Sequence, residues 1–459
     1  MTSLTSQGPL LGYHLGEILG QAQGQIQTRP IGFGNRNESP NKSVRETSEG
    51  SLPLLHAPAE GHGMVIAGTG SGKGRSVAIP MLLTNNNPAI VLDIKGELHA
   101  VTAERRKQMG HAVYCLDFAN LISKKGHRFN FFDLFKYCTH NEFIDAQAQL
   151  LADMMSFSSS GFSEKFWDSQ GLSLNAAILA CLIVTEDPKD WTLRNYLRKL
   201  FADDLKYSLA VMLDTVGKKI PTMAYQDIAA FLQLPDVTSG GVSATAQSYV
   251  KALMAEPVLS ATDSSDFSLE DIREGKPMTV YIVFPPEYLS SHGALLRVWI
   301  GAMLKAITSR TSIPEKRTIF LLDEAAQLGT FNYLQTIITL CRGYGVSCYT
   351  FWQDLQQLKA RYSDWQTLVN NCSTLQFFGC KNHLVAKGVE EITGIPAQRI
   401  AALPDDQQLV VMNGKNILSK RFDYLKDELF KGMYQPNPYY ERQQGNVKIN
   451  DLQQLGTLF

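Results

Sequence analysis

Met64 to Ser76 reads MVIAGTGSGKGRS, and its residue types suit the holding of an anion. Met64, Val65 and Ile66 are a short apolar run of strand type. Gly68, Thr69, Gly70, Ser71, Gly72, Lys73, Gly74 and Arg75 follow, and then an apolar stretch from Val77 to Leu83. A strand, a glycine-rich turn and a helix in that order bring several backbone N–H groups to one point. The helix start adds its partial positive charge. Lys73 is placed to reach the β- and γ-phosphates of a nucleotide. The usual pattern is Gly, four residues, then Gly-Lys-Ser/Thr; here Ala67 takes the first glycine position and Gly74 the hydroxyl position.

A second set of residues closes an apolar run, Ile319-Phe320-Leu321-Leu322-Asp323-Glu324. A buried strand ending in two acids puts one carboxylate beside a Mg²⁺ ion and the other beside the γ-phosphate. With no hydroxyl at Gly74, Asp323 carries more of the metal than usual, and Glu324 polarises the attacking water. Gln353 ends the run Val346 to Trp352 and is expected at the carboxyl edge of an adjacent strand, where open α/β sheets bind ligands. It reads either as a sensor of the γ-phosphate or as a solvated strand-end amide. Arg342 lies in Cys341-Arg342-Gly343-Tyr344-Gly345, a turn ahead of the same strand. It reads either as a residue reaching a neighbouring subunit's nucleotide or as a cap on the preceding helix. Asp93 to Glu97 closes another apolar run, and Trp167 is expected in a helical core.

The elements that position these residues alternate. Ala89 to Asp93 and His111 to Phe118 read as strands separated by a polar, helix-permissive stretch, which predicts an α/β sheet. From about 141 to 259 strand-like runs disappear and helical periodicity takes over, so an all-helical insertion is expected over 139–265. The α/β pattern resumes with Met278 to Phe284, an apolar helix from Ala294 to Ile307, and strands at Thr318–Asp323, Val346–Phe351 and Thr374–Phe378. Leu409 to Leu418 reads as a hairpin turning at Asn413-Gly414. The expected nucleotide-binding domain is therefore split into 61–138 and 266–435. Residues 1–60, rich in Gly, Gln, Ser, Asn and Pro, read as an arm or linker, and 436–459 as a tail.

With 459 residues, 44% of them hydrophobic and 19% charged, the chain has ordinary globular composition. A net charge of −1 shows no overall basicity of the kind that announces nucleic acid. Seven scattered cysteines without CxxC spacing indicate neither zinc nor a disulfide framework, but thiols in a reducing compartment. No signal sequence is legible at the N-terminus, and no stretch reads as the roughly 20 apolar residues of a membrane-spanning helix. A cytoplasmic protein is expected.

The series GTGSGKG, IVLDIKGE, FLLDEAAQLG, RGYGV and WQDLQQL resembles, in order, the TraG/TraD-like coupling ATPases of type IV secretion and conjugation. The resemblance runs from about Gly63 to Phe430. It implies a RecA-like P-loop nucleotide-binding domain with an inserted all-alpha domain, related to FtsK-type translocases. It implies ATP and Mg²⁺, with Lys73 on phosphate, Asp323 on metal, Glu324 on water, Gln353 sensing nucleotide and Arg342 acting in trans. The implied partners are DNA, relaxase or effector proteins and the secretion channel, with a homohexamer when active. Family members typically begin with membrane-spanning helices; this chain is expected either to be the soluble part of a coupling protein or to reach the inner face of the membrane through partners or through residues 1–60. Two other functions share these motifs: a soluble FtsK-like DNA translocase or mobilisation ATPase, and a nucleotide-gated adaptor with little hydrolysis.

Overall fold

The structure is a computed structural model that describes residues 8–18, 28–29, 52–123, 125–137, 143–156, 165–329 and 332–438. Most of the expected arm, and the expected tail from 439 onward, lie outside the described residues. In chain order the strands are β1 (Leu10–Ile18), β2 (Thr28–Arg29), β3 (Leu54–His56), β4 (His62–Ala67), β5 (Ala89–Asp93) and β6 (Ala112–Leu116). They continue with β7 (Met278–Val283), β8 (Thr318–Leu322), β9 (Val346–Trp352), β10 (Cys372–Phe378), β11 (Gln407–Met412) and β12 (Lys415–Lys420). The chain divides into two compact units.

The first unit comprises Met1–Asp93, Glu97–Val113 and Glu315–Phe459. Its sheet runs β2-β1-β12-β11-β10-β4-β9-β8-β5, with β3 added on β1. The strands β10, β4, β9, β8 and β5 are parallel, and the remainder antiparallel. Every residue of β4, β5, β8 and β9 is buried, as their largely apolar sequences require of strands covered on both faces. Ile66 lies opposite Trp352, and Leu322 opposite Thr350. That register brings the ends of β4, β9 and β8 out side by side at the carboxyl edge.

β1 differs from the expected arm: Leu10–Ile18 is a nine-residue strand paired with β12 and β3. The alternation is hidden because Gly12 and Gly16 interrupt it. Packing requires Gly12, since a Cβ there would lie 2.4 Å from Ser419 Oγ and 2.5 Å from Lys420 O. Its buried Leu11 joins Leu55, Ala57, Val410 and Ile417 in a small core. The hairpin β11–β12 turns at Asn413 and Gly414, with φ of 52° and 71°, the left-handed pair that a two-residue turn demands.

The second unit comprises Ile94–Gly96 and Tyr114–Pro314. Between 143 and 265 its described residues contain no strand. The helices include Ile144–Met155, Lys165–Thr185, Leu193–Leu200, Leu205–Val216, Thr222–Gln233 and Asp236–Val250. Thr192 and Asp204 cap two of them, their side chains accepting from Asn195 N and Tyr207 N. The unit is larger than the expected insertion 139–265, for it also holds β7 and the helix Gly293–Thr308. That helix is tied to the helical residues: Trp299 Nε1 donates to Phe129 O (3.1 Å), and Arg297 donates to Met154 O (3.2 Å) and Ser156 O (3.0 Å).

Lys165–Thr185 also departs from the sequence reading. It is long and apolar enough to cross a membrane by length and composition. Residues Leu174 to Ile183 are buried, against the helices Ile144–Met155 and Asp236–Val250 among others. Its Asn175 is satisfied inside this core, donating to Ala246 O (3.0 Å) and accepting from Tyr196 Oη (2.7 Å). Six cysteines are described, none in a disulfide, and Cys138 lies outside the described residues.

Candidate nucleotide-binding site

The turn after β4 is shaped by its own backbone. Ser71 N donates to Gly68 O (3.1 Å), and Gly70 and Gly72 take φ of 73° and 84°, a conformation that a side chain would strain. Lys73 already has helical dihedrals, and Ser76 N donates to Gly72 O (2.9 Å). One turn of π-helix, Gly74–Ala78, leads into α1 (Ile79–Thr84); such turns often sit at functional sites. Thr69 and Gly70 are exposed at the tip, while Lys73 is buried.

Lys73 Nζ lies 3.2 Å from Glu324 Oε1. The alignment is not that of a hydrogen bond, and the buried Nζ has no hydrogen-bond acceptor. Its charge is balanced, but its three donors are unfilled. A phosphate group would supply acceptors there, so the residues present fit a nucleotide. Glu324 adopts φ 55° and ψ 54°, left-handed backbone in a residue other than glycine. That conformation costs on the order of 1–3 kcal/mol and clusters at functional sites. Gln353 Nε2 donates to Glu324 Oε2 (3.3 Å), and Gln353 N is anchored on Gln357 Oε1 (3.0 Å). The structure thus joins Lys73, Glu324 and Gln353 in one cluster.

Asp323 lies close enough to a second carboxyl group to act on it through its charge. Asp93, ending β5, is wholly buried and accepts from His99 N (2.8 Å), near the start of α2 (Glu97–Gln108). Burial pushes its carboxyl up to about 7, and the charge of Asp323 adds to this against the pull of the His99 N–H. Mg²⁺ is commonly held by one or two carboxylates plus phosphate oxygens, so Asp323 next to Asp93 suits that ion when a nucleotide completes the set.

Two expected site residues point elsewhere. Arg75 makes a bidentate pair with Asp423, at 2.5 and 2.6 Å. Arg342 precedes β9, whereas Gln353 follows it. The seven residues of the strand therefore separate Arg342 from the cluster by about 20 Å. Its side chain is 61% exposed and lies 3.7 Å from Glu60 Oε2, while its carbonyl accepts from Arg317 (2.9 Å).

Sequence reasoning missed Arg421, which follows β12. It donates to Ser71 O and to Ser76 Oγ (2.7 Å), and its guanidinium sits 3.9 Å above the centre of the Phe378 ring. No local signal marks it, because its partners in the phosphate turn lie about 350 residues away in sequence.

A family model described as Type IV secretory system Conjugative DNA transfer matches residues 28–395. The chain is 29% identical over 321 residues to conjugal transfer protein TraG of Rhizobium radiobacter, covering 68% of this chain and 49% of the relative. It is 27% identical over 358 residues to type IV secretion system-coupling protein VirD4 of Bartonella quintana (strain Toulouse), covering 75% and 55%. The chain spans about half the length of these relatives. Among solved structures, the conjugative coupling protein TrwB lacking its N-terminal segment aligns with a TM-score of 0.63 at 16% identity, over 80% of this chain and 86% of that one. TrwB in complex with ADP and Mg²⁺ aligns at 0.62 and 17%, over 79% and 85%. The fold is accordingly the RecA-like P-loop α/β fold that the motifs imply. The family match covers more than half of the chain, which therefore belongs to the type IV secretory system conjugative DNA transfer family.

Proposed function

We propose that this chain is an ATP-driven coupling protein, which hydrolyses ATP to recruit DNA–protein complexes or effector proteins and deliver them to a type IV secretion channel. One observation carries the reading: a buried lysine with unfilled donors at the end of a glycine turn, opposed by a strained glutamate that a glutamine holds. Backbone N–H groups of Gly68 to Gly74 bind the phosphates, and Lys73 neutralises the transferred phosphoryl. Glu324 then takes the proton of an attacking water, and Gln353, bonded to Glu324, registers whether a γ-phosphate is present. When bound beside Asp323, Mg²⁺ supplies electrostatic stabilisation of the phosphate oxygens.

Arg342 has no part in its own subunit's cluster. It acts on a neighbour's nucleotide in a ring, with a homohexamer as the active form. TrwB in complex with ADP and Mg²⁺, or with non-hydrolysable GTP and ATP analogues, supports the choice of ligand. Partners rather than this chain's described residues are proposed to bring it to the inner membrane. The test is ATP turnover with single-stranded DNA, double-stranded DNA and neither. DNA-stimulated hydrolysis that falls steeply with salt supports a DNA cargo. ATP binding without turnover under all three conditions makes the chain a nucleotide-gated adaptor instead.

A further inference from the structure

The segment leaving β12 holds the phosphate turn from two sides. Nη2 of Arg421 donates to Ser71 O and to Ser76 Oγ, and Nη1 to Asp405 O (2.8 Å). The guanidinium is fixed by the Phe378 ring below it and by Arg421 N donating to Asp406 O (2.7 Å). Two residues on, Asp423 takes Arg75 at the start of the following helical turn.

The bond to Ser71 O has a consequence for the phosphate turn. A trans peptide is planar, and its C=O and N–H point in opposite directions. Drawing the Ser71 carbonyl outward onto a cation therefore turns the Gly72 N–H to the opposite, concave side. Successive N–H groups on the concave side of such a turn make an anion-binding nest. Ser76, the next hydroxyl after Gly74, is itself taken by Arg421 and is not a free replacement for the missing metal-binding hydroxyl. Burial lowers the Arg421 guanidinium to about 10, with Asp405 and Asp423 opposing the shift, so it remains charged at neutral pH.

We propose that Arg421 is a positioning residue for the phosphate turn, which it sets in its nucleotide-binding shape before ligand arrives, while the Asp423–Arg75 pair locks the helical turn behind it. This rests on the nucleotide-site reading above. Arg421 touches no reacting atom; it works through the Ser71–Gly72 peptide. A device of this kind helps all nucleotides that place a phosphate in the turn, and helps ground state and transition state alike. It also makes the terminal hairpin, and β1 paired to it, part of the frame of the site.

The experiment measures ATP and ADP affinity by titration calorimetry, and steady-state turnover, on the full chain. Arg421→Ala should weaken both nucleotides alike by about tenfold, or about 1.4 kcal/mol. KM should rise in parallel while kcat stays within about twofold, the pattern of lost uniform binding. Arg421→Lys should recover only part of the affinity, because an ammonium lacks the planar fork that meets two acceptors and stacks on a ring. Wild-type affinity in folded Arg421→Ala overturns the proposal, and full rescue by lysine reduces it to a charge effect. A fall in kcat without a change in KM would place Arg421 at the reacting phosphate instead. Should Arg421→Ala not fold, Asp423→Asn takes its place: a severalfold loss of affinity supports the clasp and none overturns it. Lys73→Ala separates the two readings. Normal ATP affinity there removes the site itself, whereas lost affinity there beside normal affinity in Arg421→Ala removes only the clasp.

Discussion

Lys73 and Glu324 hold opposite charges 3.2 Å apart at the carboxyl edge of the sheet, yet their replacements should behave differently. Lys73→Ala removes the cation for the phosphates, so ATP affinity and turnover should both be lost, by calorimetry and by phosphate release. Glu324→Gln keeps the shape and removes the proton acceptor. ATP should still bind, while kcat falls by about 10²–10⁴, the range for a general base. Normal hydrolysis in Glu324→Gln would move the base to another residue. His62, at the far end of β4, gives a test in pH. Its Nδ1 accepts from Cys348 N (3.1 Å), and its buried Nε2 has no partner. Burial first, then the charges of Arg342 and Arg317, pull it down to about 4. The unfolded chain takes up a proton near pH 6.5, the folded one only near 4, so His62 costs stability as pH falls through that window. The loss is on the order of 1 kcal/mol per pH unit. His62→Gln should flatten urea unfolding midpoints between pH 7 and pH 5 relative to wild type; identical slopes would mean His62 is protonated in the folded state.

At the scale of elements, the order β4-β9-β8 is what makes a site from three separate motifs, since one strand end lies between the other two. The antiparallel edge has its own tight place at Gly12, where β1 crosses β12. Gly12→Val would set a Cβ within 2.4 Å of Ser419 Oγ, and overpacking of this kind costs about 1–3 kcal/mol. The urea midpoint should fall accordingly. Because β12 leads directly into Arg421, ATP affinity should fall in the same variant even where it remains folded. An unchanged midpoint would show that β1 gives way without cost.

At the scale of the whole molecule, Arg342 is the residue left over. It stands on the opposite edge of the sheet from its own Lys73, and the ring proposed above gives it a neighbouring subunit's nucleotide to meet. An arginine supplied across an interface is worth about 10³–10⁵ in rate where this has been established. Lys73→Ala has a dead site with an intact Arg342; Arg342→Ala has an intact site and no arginine to lend. Mixed under ring-forming conditions, the two should regain activity that neither shows alone. Inactivity in rings shown to be mixed would return Arg342 to its own subunit, and full activity of Arg342→Ala alone would make it a surface residue.

The sequence by itself determined what is chemically local. The glycine turn with Lys73, the acids closing β8, Gln353 closing β9 and the Asn413-Gly414 turn were all legible, because a few adjacent residue types suffice to define each. Long apolar and helical periodicities likewise marked the parallel strands and the helical stretch. Tertiary structure alone decided what depends on distant pairs. β1 became a strand because β12 and β3 pair with it, overriding the two glycines within it. The helix Gly293–Thr308 fell to the helical unit because Phe129, Met154 and Ser156 hold its Trp299 and Arg297. The left-handed backbone of Glu324 and the grip of Arg421 on Ser71 have no signature in neighbouring residues. Each arises where packing brings together segments far apart in the chain, and there burial and hydrogen bonding outweigh local preference.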